Sequence, residues 1–299
     1  MKILISGATG LVGRKLIQEL NKRGDEVYIL SRSSQTKMDT PFGNVVIWDS
    51  SKIPNLNHLG KIDAVVHLAG EGIADQRWTK ERKQSLESSR VEGTKNLIRG
   101  ISSMSPKNRP QIFVSTSAVG FYGDQGESKI TENDKKGEGF LAELCSRWEE
   151  SANAACQICE RTVIMRLGIV LSSDGGALKK MGPAILGSGH QWMSWIHIDD
   201  LIQFILKALD HPEIQGVYNL TSPQPVTNKV FTLELARQMG IPRAFVVPVP
   251  QFILKAALGE MSSMLIAGQK VIPKRLIEQN FNFKYTELST ALADCKKRK

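Results

Sequence analysis

MKILISGATGLVG, residues Met1–Gly13, is the stretch on which the fold turns. Ile3, Leu4 and Ile5 form an apolar run too short to show a helical period, and a glycine closes it. That pattern predicts a strand buried on both faces of a parallel sheet. Gly7, Gly10 and Gly13 follow at three-residue spacing, and the next segment, apolar at Leu16, Ile17 and Leu20, predicts a helix. A sharp turn from strand to helix needs positive φ, which glycine adopts without steric cost. A diphosphate approaching backbone amides needs a residue without Cβ, and so does close packing of helix on strand. The free amides and dipole at the helix N-terminus then favour an anion. A glycine loop that follows a strand and opens a helix is the context a dinucleotide site requires. Gly7, Thr9, Gly10, Leu11, Val12 and Gly13 are therefore the candidate diphosphate residues.

The strands that follow extend this reading. Glu26 to Leu30 predicts a second strand, ending in Ser31, Arg32, Ser33 and Ser34. An NAD-selective site carries an acidic residue near such a strand end, for the ribose 2′-hydroxyl. Here a cation stands among hydroxyls, which suits a 2′-phosphate, since a guanidinium pairs with it bidentately. Ser31 and Arg32 are accordingly read as selecting NADP(H); the plainer alternative for Arg32 is a solvated loop charge. Val45 to Trp48 predicts a third strand, with Asp49 placed to approach an adenine edge. Ala64 to Leu68 predicts a fourth, closing in Ala69 and Gly70, small residues beside which a pyrophosphate and nicotinamide ribose fit. A helical segment from about Lys80 to Ile101 and a fifth strand, Ile112 to Ser115, complete the alternation. The expected architecture is α/β, a Rossmann-type doubly wound parallel sheet.

The second half is less regular. Helices are expected over about Gly139 to Ala155, from Asp199 (as N-cap) to Leu209, and from Phe231 to Met239, with strands at Thr162–Leu167 and Val217–Leu220. Residues 1–167 are thus assigned to a dinucleotide-binding domain whose core continues into 196–222. Residues 168–299 are assigned to a smaller, mostly helical region with a substrate loop and a C-terminal cap. In that loop His190, Trp192 and Trp195 offer flat stacking surfaces and pH-sensitive donors for a substrate. His197 is read as opening the following helix.

Bulk properties narrow the classes further. The 299 residues suffice for a sizeable core, and 41% hydrophobic with 23% charged is an ordinary globular balance. The net charge of +9 includes four from Lys296, Lys297, Arg298 and Lys299, a solvated terminus. No aromatic-interleaved basic motif points to nucleic acid. No run is long and apolar enough for a membrane span, and the chain enters its first strand at once, so a cytoplasmic protein is expected. Cys145, Cys156, Cys159 and Cys295 suggest neither a disulfide framework nor a zinc site, and no metal is expected.

Four motifs carry a family resemblance. Gly7-x-x-Gly10-x-x-Gly13, Val91-x-Gly93-Thr94-x-Asn96-Leu97, the stretch from Ser115 to Gly123, and His197-x-Asp199-Asp200 resemble the extended, epimerase-like branch of the short-chain dehydrogenase/reductase superfamily. Leu68–Glu71, Arg166–Leu171, Gly187–His197 and Gly268–Pro273 bring the chain closer to atypical epimerase-family proteins of the YfcH type. The resemblance implies NADP(H) contact by Ser31, Arg32, Leu68, Ala69, Gly70, Arg90, Ser115 and the backbone near Ile169. It also implies a homodimer and a small, or nucleotide-linked, substrate.

The departure is catalytic. The superfamily uses a tyrosine followed four residues later by a lysine, which lowers the phenol pKa for proton transfer. Counted from Glu149, the tyrosine position falls on Leu141 and the lysine position on Cys145. Ser117 remains on the strand as a candidate donor to a substrate oxygen, and Tyr122 is the candidate replacement phenol. Arg147 and Glu143 are further candidates on the next helix. Two functions follow as expectations: an NADP(H)-dependent oxidoreductase or epimerase, or a catalytically silent NADP(H)-binding regulatory protein.

Overall fold

A computed structural model describes residues 1–33 and 44–297; Ser34, Arg298 and Lys299 lie outside the described residues. Strands β1 (Lys2–Ser6), β2 (Glu26–Ser31), β3 (Asn44–Ile47), β4 (Ala64–His67), β5 (Ile112–Ala118), β6 (Arg161–Leu167) and β7 (Gly216–Leu220) form one sheet. Its spatial order is β7-β6-β5-β4-β1-β2-β3, and every pairing is parallel. The order reverses between β1 and β4, the switch point at which open α/β sheets take their ligands.

Alternation along each strand explains the layers. Ile3, Ile5, Ala64, Val66, Val114 and Met165 face α1 (Leu11–Arg23) and α5 (Ile198–Asp210) through Leu16, Ile17, Leu20, Leu201 and Phe204. Leu4, Val65, Phe113 and Ile164 face the other way, onto Leu97 and Ile101 of α3 (Gly93–Ser102) and Ala152 of α4 (Phe140–Asn153). Each Val, Leu, Ile, Phe or Met side chain among these, taken from water, contributes roughly 1.5–3 kcal/mol. The doubly wound sheet is the architecture expected from the sequence.

The long helix expected over Lys80 to Ile101 is divided. α2 (Lys80–Glu87) passes into a π turn, Ser88–Glu92, before α3 begins. The Thr94 hydroxyl donates to the Arg90 carbonyl at 2.5 Å, so a carbonyl inside the widened turn keeps a partner. α6 (Asn228–Met239) starts earlier than Phe231, with the Thr227 hydroxyl accepting from Val230 N–H.

Beyond β6 helices are joined by short strand pairings. Ile169–Leu171 pairs with Trp195–His197, Ala184–Leu186 with Val247–Val249, and Lys129–Ile130 with Lys270–Val271. α7 (Gln251–Leu258) and α8 (Leu288–Lys297) complete the C-terminal part. This part is tied to the sheet. Arg275 donates to the carbonyls of Val217 (2.6 Å) and Gln215 (2.8 Å), and the Asp200 carboxylate accepts the N–H groups of Lys284 and Tyr285. The N-cap of α5 is His197, whose Nδ1 accepts from Asp199 N–H, rather than Asp199. Among the described residues no helix is long and apolar enough to cross a membrane.

Candidate functional site

The C-terminal ends of β1, β2, β4 and β5 converge on one edge of the sheet. After β1, Gly7 takes φ +73°, and a Cβ there would stand 2.6 Å from the Leu68 carbonyl carbon. A Cβ on Gly13 would stand 2.4 Å from the Gly7 carbonyl oxygen, so α1 lies directly on the turn. Gly10 keeps an ordinary negative φ of −72°; its N–H donates to the Gly7 carbonyl, and no side chain caps α1. The first turn of α1 carries no acidic residue. Thr9 and Gly10 are exposed, and Leu11 and Val12 are half-buried beside them. The result is an uncapped helix N-terminus seated on a tight turn in which Gly7 and Gly13 leave no room for a Cβ, the backbone arrangement that suits a diphosphate.

At the end of β2, Ser31 is half-buried with its hydroxyl accepting from Ser33 N–H, and Arg32 is exposed. Asp49 is also exposed, and hydrogen bonds from Ser51 hold its carboxyl below the usual range. Leu68 and Ala69 are half-buried and Gly70 exposed, so the β4 end borders the same opening. Ile169 is half-buried and bonded through its N–H to Ser194.

The β4 end is locked by His67. Its ring meets the Ser6 hydroxyl at 2.5 Å through Nδ1 and the Thr94 hydroxyl at 2.9 Å through Nε2. Thr94 gives its only proton to Arg90, so its oxygen accepts from His67 Nε2–H and from Trp148 Nε1–H at 3.1 Å. That order makes the imidazole the Nε2–H tautomer, with Ser6 donating to Nδ1. Burial pushes the His67 pKa down to about 4. The same chain steadies Arg90, which donates to the Glu71 carbonyl at 2.7 Å and lies over the Trp148 ring at 5.2 Å. A Cβ on Gly70 would sit 3.4 Å from the Arg90 guanidinium carbon, which places that cation at the rim of the opening.

The expected proton carriers sit elsewhere. Tyr122 is fully buried; its hydroxyl donates to Asn219 Oδ1 at 2.7 Å and accepts from Arg166 at 2.8 Å. Burial pushes its pKa up to about 12, so the phenol is a structural group and the reading of it as a proton carrier is corrected. Ser117 is buried as well, donating to Glu149 Oε1 at 2.6 Å. Arg166 meets both Glu149 oxygens at 2.8 Å and stacks on Phe121, with its guanidinium carbon 3.5 Å from the ring centroid. Ser117, Glu149, Arg166, Tyr122 and Asn219 therefore form one buried polar network. Ser115 is also fully buried, its hydroxyl on the Thr116 carbonyl, so the expected cofactor contact falls away.

At Leu141 and Cys145, the positions expected from the count to carry the tyrosine and lysine, the side chains are uncharged. Leu141 rests on the backbone of Gly120, where a Cβ would come within 3.3 Å of the Leu141 Cβ. Cys145 is buried, and burial, helped by the Glu149 charge, pushes its thiol up to about 12. Arg147 pairs with Glu87 and Glu143 with Lys136, so both are held in ion pairs. The substrate loop divides. His190 is exposed and Trp192 half-buried, with its indole N–H on Glu127 and the Lys270 ammonium 3.7 Å from a ring centroid. Trp195 is fully buried in the core against Leu171 and Phe231, so it faces no substrate. Ser194 to Ile198 are all buried, and the strand Trp195–His197, paired with Ile169–Leu171, lies wholly inside the packed molecule.

Two features escaped the sequence reading. The Glu149–Arg166 pair joins a helix to a strand, and its one trace in sequence is an arginine inside the apolar run from Thr162 to Leu167. His197, Asp199 and Asp294 bring ligand atoms within 4.8 Å of one another, because the Asp294 carboxylate of α8 reaches His197 Nε2 at the start of α5, 3.3 Å away. The Lys284 ammonium, 2.9 Å from Asp199, meets that negative charge. The four cysteines are free thiols.

Comparison with known proteins agrees with this geometry. The NAD dependent epimerase/dehydratase family matches residues 3–162 and 174–221, and a domain of unknown function, DUF1731, matches residues 249–295. A chloroplastic epimerase family protein of Arabidopsis thaliana, an SDR39U1 homolog, is 39% identical over 98% of this chain and 86% of its own length. The human epimerase family protein SDR39U1, crystallised with NADPH, superposes with a TM-score of 0.87 at 31% identity, covering 100% of both chains. A nucleoside-diphosphate sugar epimerase from Corynebacterium glutamicum is 32% identical with a TM-score of 0.76, over 98% of this chain and 57% of its own.

Proposed function

The chain belongs to the NAD dependent epimerase/dehydratase family, and on that premise we propose that it binds NADP(H) and presents it to a small molecule without a side-chain proton carrier. The observation that carries the reading is the cradle formed by Gly7, Gly10 and Gly13 at the uncapped start of α1. Its amides suit the diphosphate, Ser31 and Arg32 suit the 2′-phosphate, and Leu68, Ala69, Gly70, Arg90 and the Ile169 backbone border the path toward the nicotinamide. The bound group would supply hydride chemistry. The human relative's NADPH supports the phosphorylated form of the cofactor.

Epimerisation through a ketone intermediate needs a base for a hydroxyl proton. Tyr122 and Cys145 hold their protons up to about pH 12, and Ser117 is turned onto Glu149. Those facts favour oxidoreduction in which water handles the proton. A second reading, a regulatory protein that holds NADP(H) without turnover, is favoured by the same neutral pair, Leu141 and Cys145. NADPH is expected to raise Tm more than NADH does, and Arg32→Ala to remove the difference. Equal shifts from both coenzymes would overturn the Arg32 assignment, and none from either would overturn the site. Absorbance at the nicotinamide band with a carbonyl panel separates the two readings.

A further inference from the structure

We infer that the molecule handled beside the dinucleotide is an apolar conjugated carbonyl compound, of the quinone or enone class, rather than a nucleoside diphosphate sugar. The inference rests on the NADP(H) reading above and adds the chemistry of its acceptor. Leu141, at the position where the family places its phenol, belongs to an apolar cluster with Trp78, Phe140, Leu258, Met261 and Met264. Trp78 and Met261 are buried, while Phe140, Leu141, Leu258 and Met264 keep part of their surface in solvent. The wall is thus assembled from α4, from the segment before α2, and from the C-terminal part around α7. Two thioethers and a pair of rings in edge contact at 5.1 Å make it adaptable to flat, unsaturated ligands.

The same elements offer little to a diphosphate. Arg82 is paired with Glu71, Lys83 with Glu260, and the Arg77 guanidinium donates to the Ala256 carbonyl. Removing two phosphate charges from water requires charge-assisted partners, and Arg82 and Lys83 are already committed to carboxylates. The proton requirement points in the same direction. Hydride from the reduced dinucleotide bonds to one carbonyl oxygen of the quinone; the π pair of that C=O moves into the ring, the π pair of the opposite C=O moves onto its own oxygen, and the aromatic hydroquinone monoanion so formed takes a proton from water. NADPH is oxidised, the quinone is reduced to the hydroquinone, and no side chain has to deliver a proton. A sugar alkoxide, far more basic, has no such relief.

The full-length protein, saturated with NADP⁺, is titrated calorimetrically with duroquinone and separately with UDP-glucose. NADPH oxidation by duroquinone is followed alongside an enzyme-free control. All four ring positions of duroquinone are methylated, so it does not arylate thiols such as the exposed Cys156. The expected result is saturable duroquinone binding and NADPH consumption, with neither from UDP-glucose. Leu141→Glu and Met264→Glu are each expected to weaken duroquinone binding at least tenfold and to leave NADPH affinity within twofold. UDP-glucose binding in place of duroquinone, or duroquinone binding indifferent to both variants, overturns the acceptor class while NADPH binding stands. Failure to bind NADPH at all overturns the cofactor reading, and the inference with it.

Discussion

Gly13 and Tyr122 mark the two kinds of constraint on single residues in this site. At Gly13 the constraint is space, because any Cβ must enter the Gly7 carbonyl. Gly13→Ala is expected to cost about 1–3 kcal/mol through overpacking and to weaken NADPH binding by shifting the cradle. Chemical denaturation and a coenzyme titration check the two effects. At Tyr122 the constraint is satisfaction of buried polar groups. Tyr122→Phe leaves Asn219 Oδ1 and one Arg166 N–H without that hydroxyl, at a cost of about 1–3 kcal/mol. NADPH affinity is expected to be unchanged, and the ultraviolet titration step near pH 12 to disappear. A lost NADPH signal at unchanged stability would overturn the reading of this phenol as a structural group.

Elements meet through titratable groups of opposite pH behaviour. His67 joins β4 to β1 and α3, and its folded pKa of about 4 lies below its ordinary 6.5. The unfolded chain therefore binds that proton first, and up to about 3 kcal/mol of stability is lost as pH falls from 6.5 toward 4. Asp200 joins α5 to the segment before α8, and burial raises its pKa to about 6. Its charged form costs stability above pH 6, and that cost is relieved as pH falls toward 3.8. The two contributions oppose each other across the same window. Urea midpoints measured between pH 7 and pH 4.5 are expected to fall less steeply in His67→Gln than in the parent chain, and more steeply in Asp200→Asn. Parallel slopes in all three would remove both assignments.

At the scale of the whole molecule, the C-terminal part and the sheet hold each other. Arg275 reaches β7 through the Val217 carbonyl and the Tyr218 hydroxyl, and Glu132 accepts the N–H groups of both Asn219 and Arg275. Because β7, which lies within residues 168–299, pairs along its length with β6, and Glu132 holds Asn219 and Arg275, we propose that residues 168–299 do not unfold apart from the rest. Arg275→Ala is expected to lower Tm while calorimetry still records a single transition, displaced as a unit by NADPH. Two separated transitions would instead support independent domains. The wall around Leu141 belongs to this scale too, since Met261 and Met264 join Trp78 and Phe140 only when the C-terminal part folds back.

Short-range pattern sufficed for the sheet and the cradle. Ile3 to Ile5, the continuous buried runs at β4 to β6 and the glycines at three-residue spacing express local sterics, so their meaning is carried within a dozen residues of chain. The departure at Leu141 and Cys145 was equally legible, because a missing phenol and a missing ammonium need no coordinates. Tertiary structure alone decided which way the remaining polar groups turned. Ser117, Tyr122 and Trp195 each read as facing a cleft, yet all are buried, because their partners Glu149, Arg166, Asn219 and Ile169 arrive from distant segments. Burying a charge such as Arg166 demands partners on every side, and only the packed molecule determines where those partners come from.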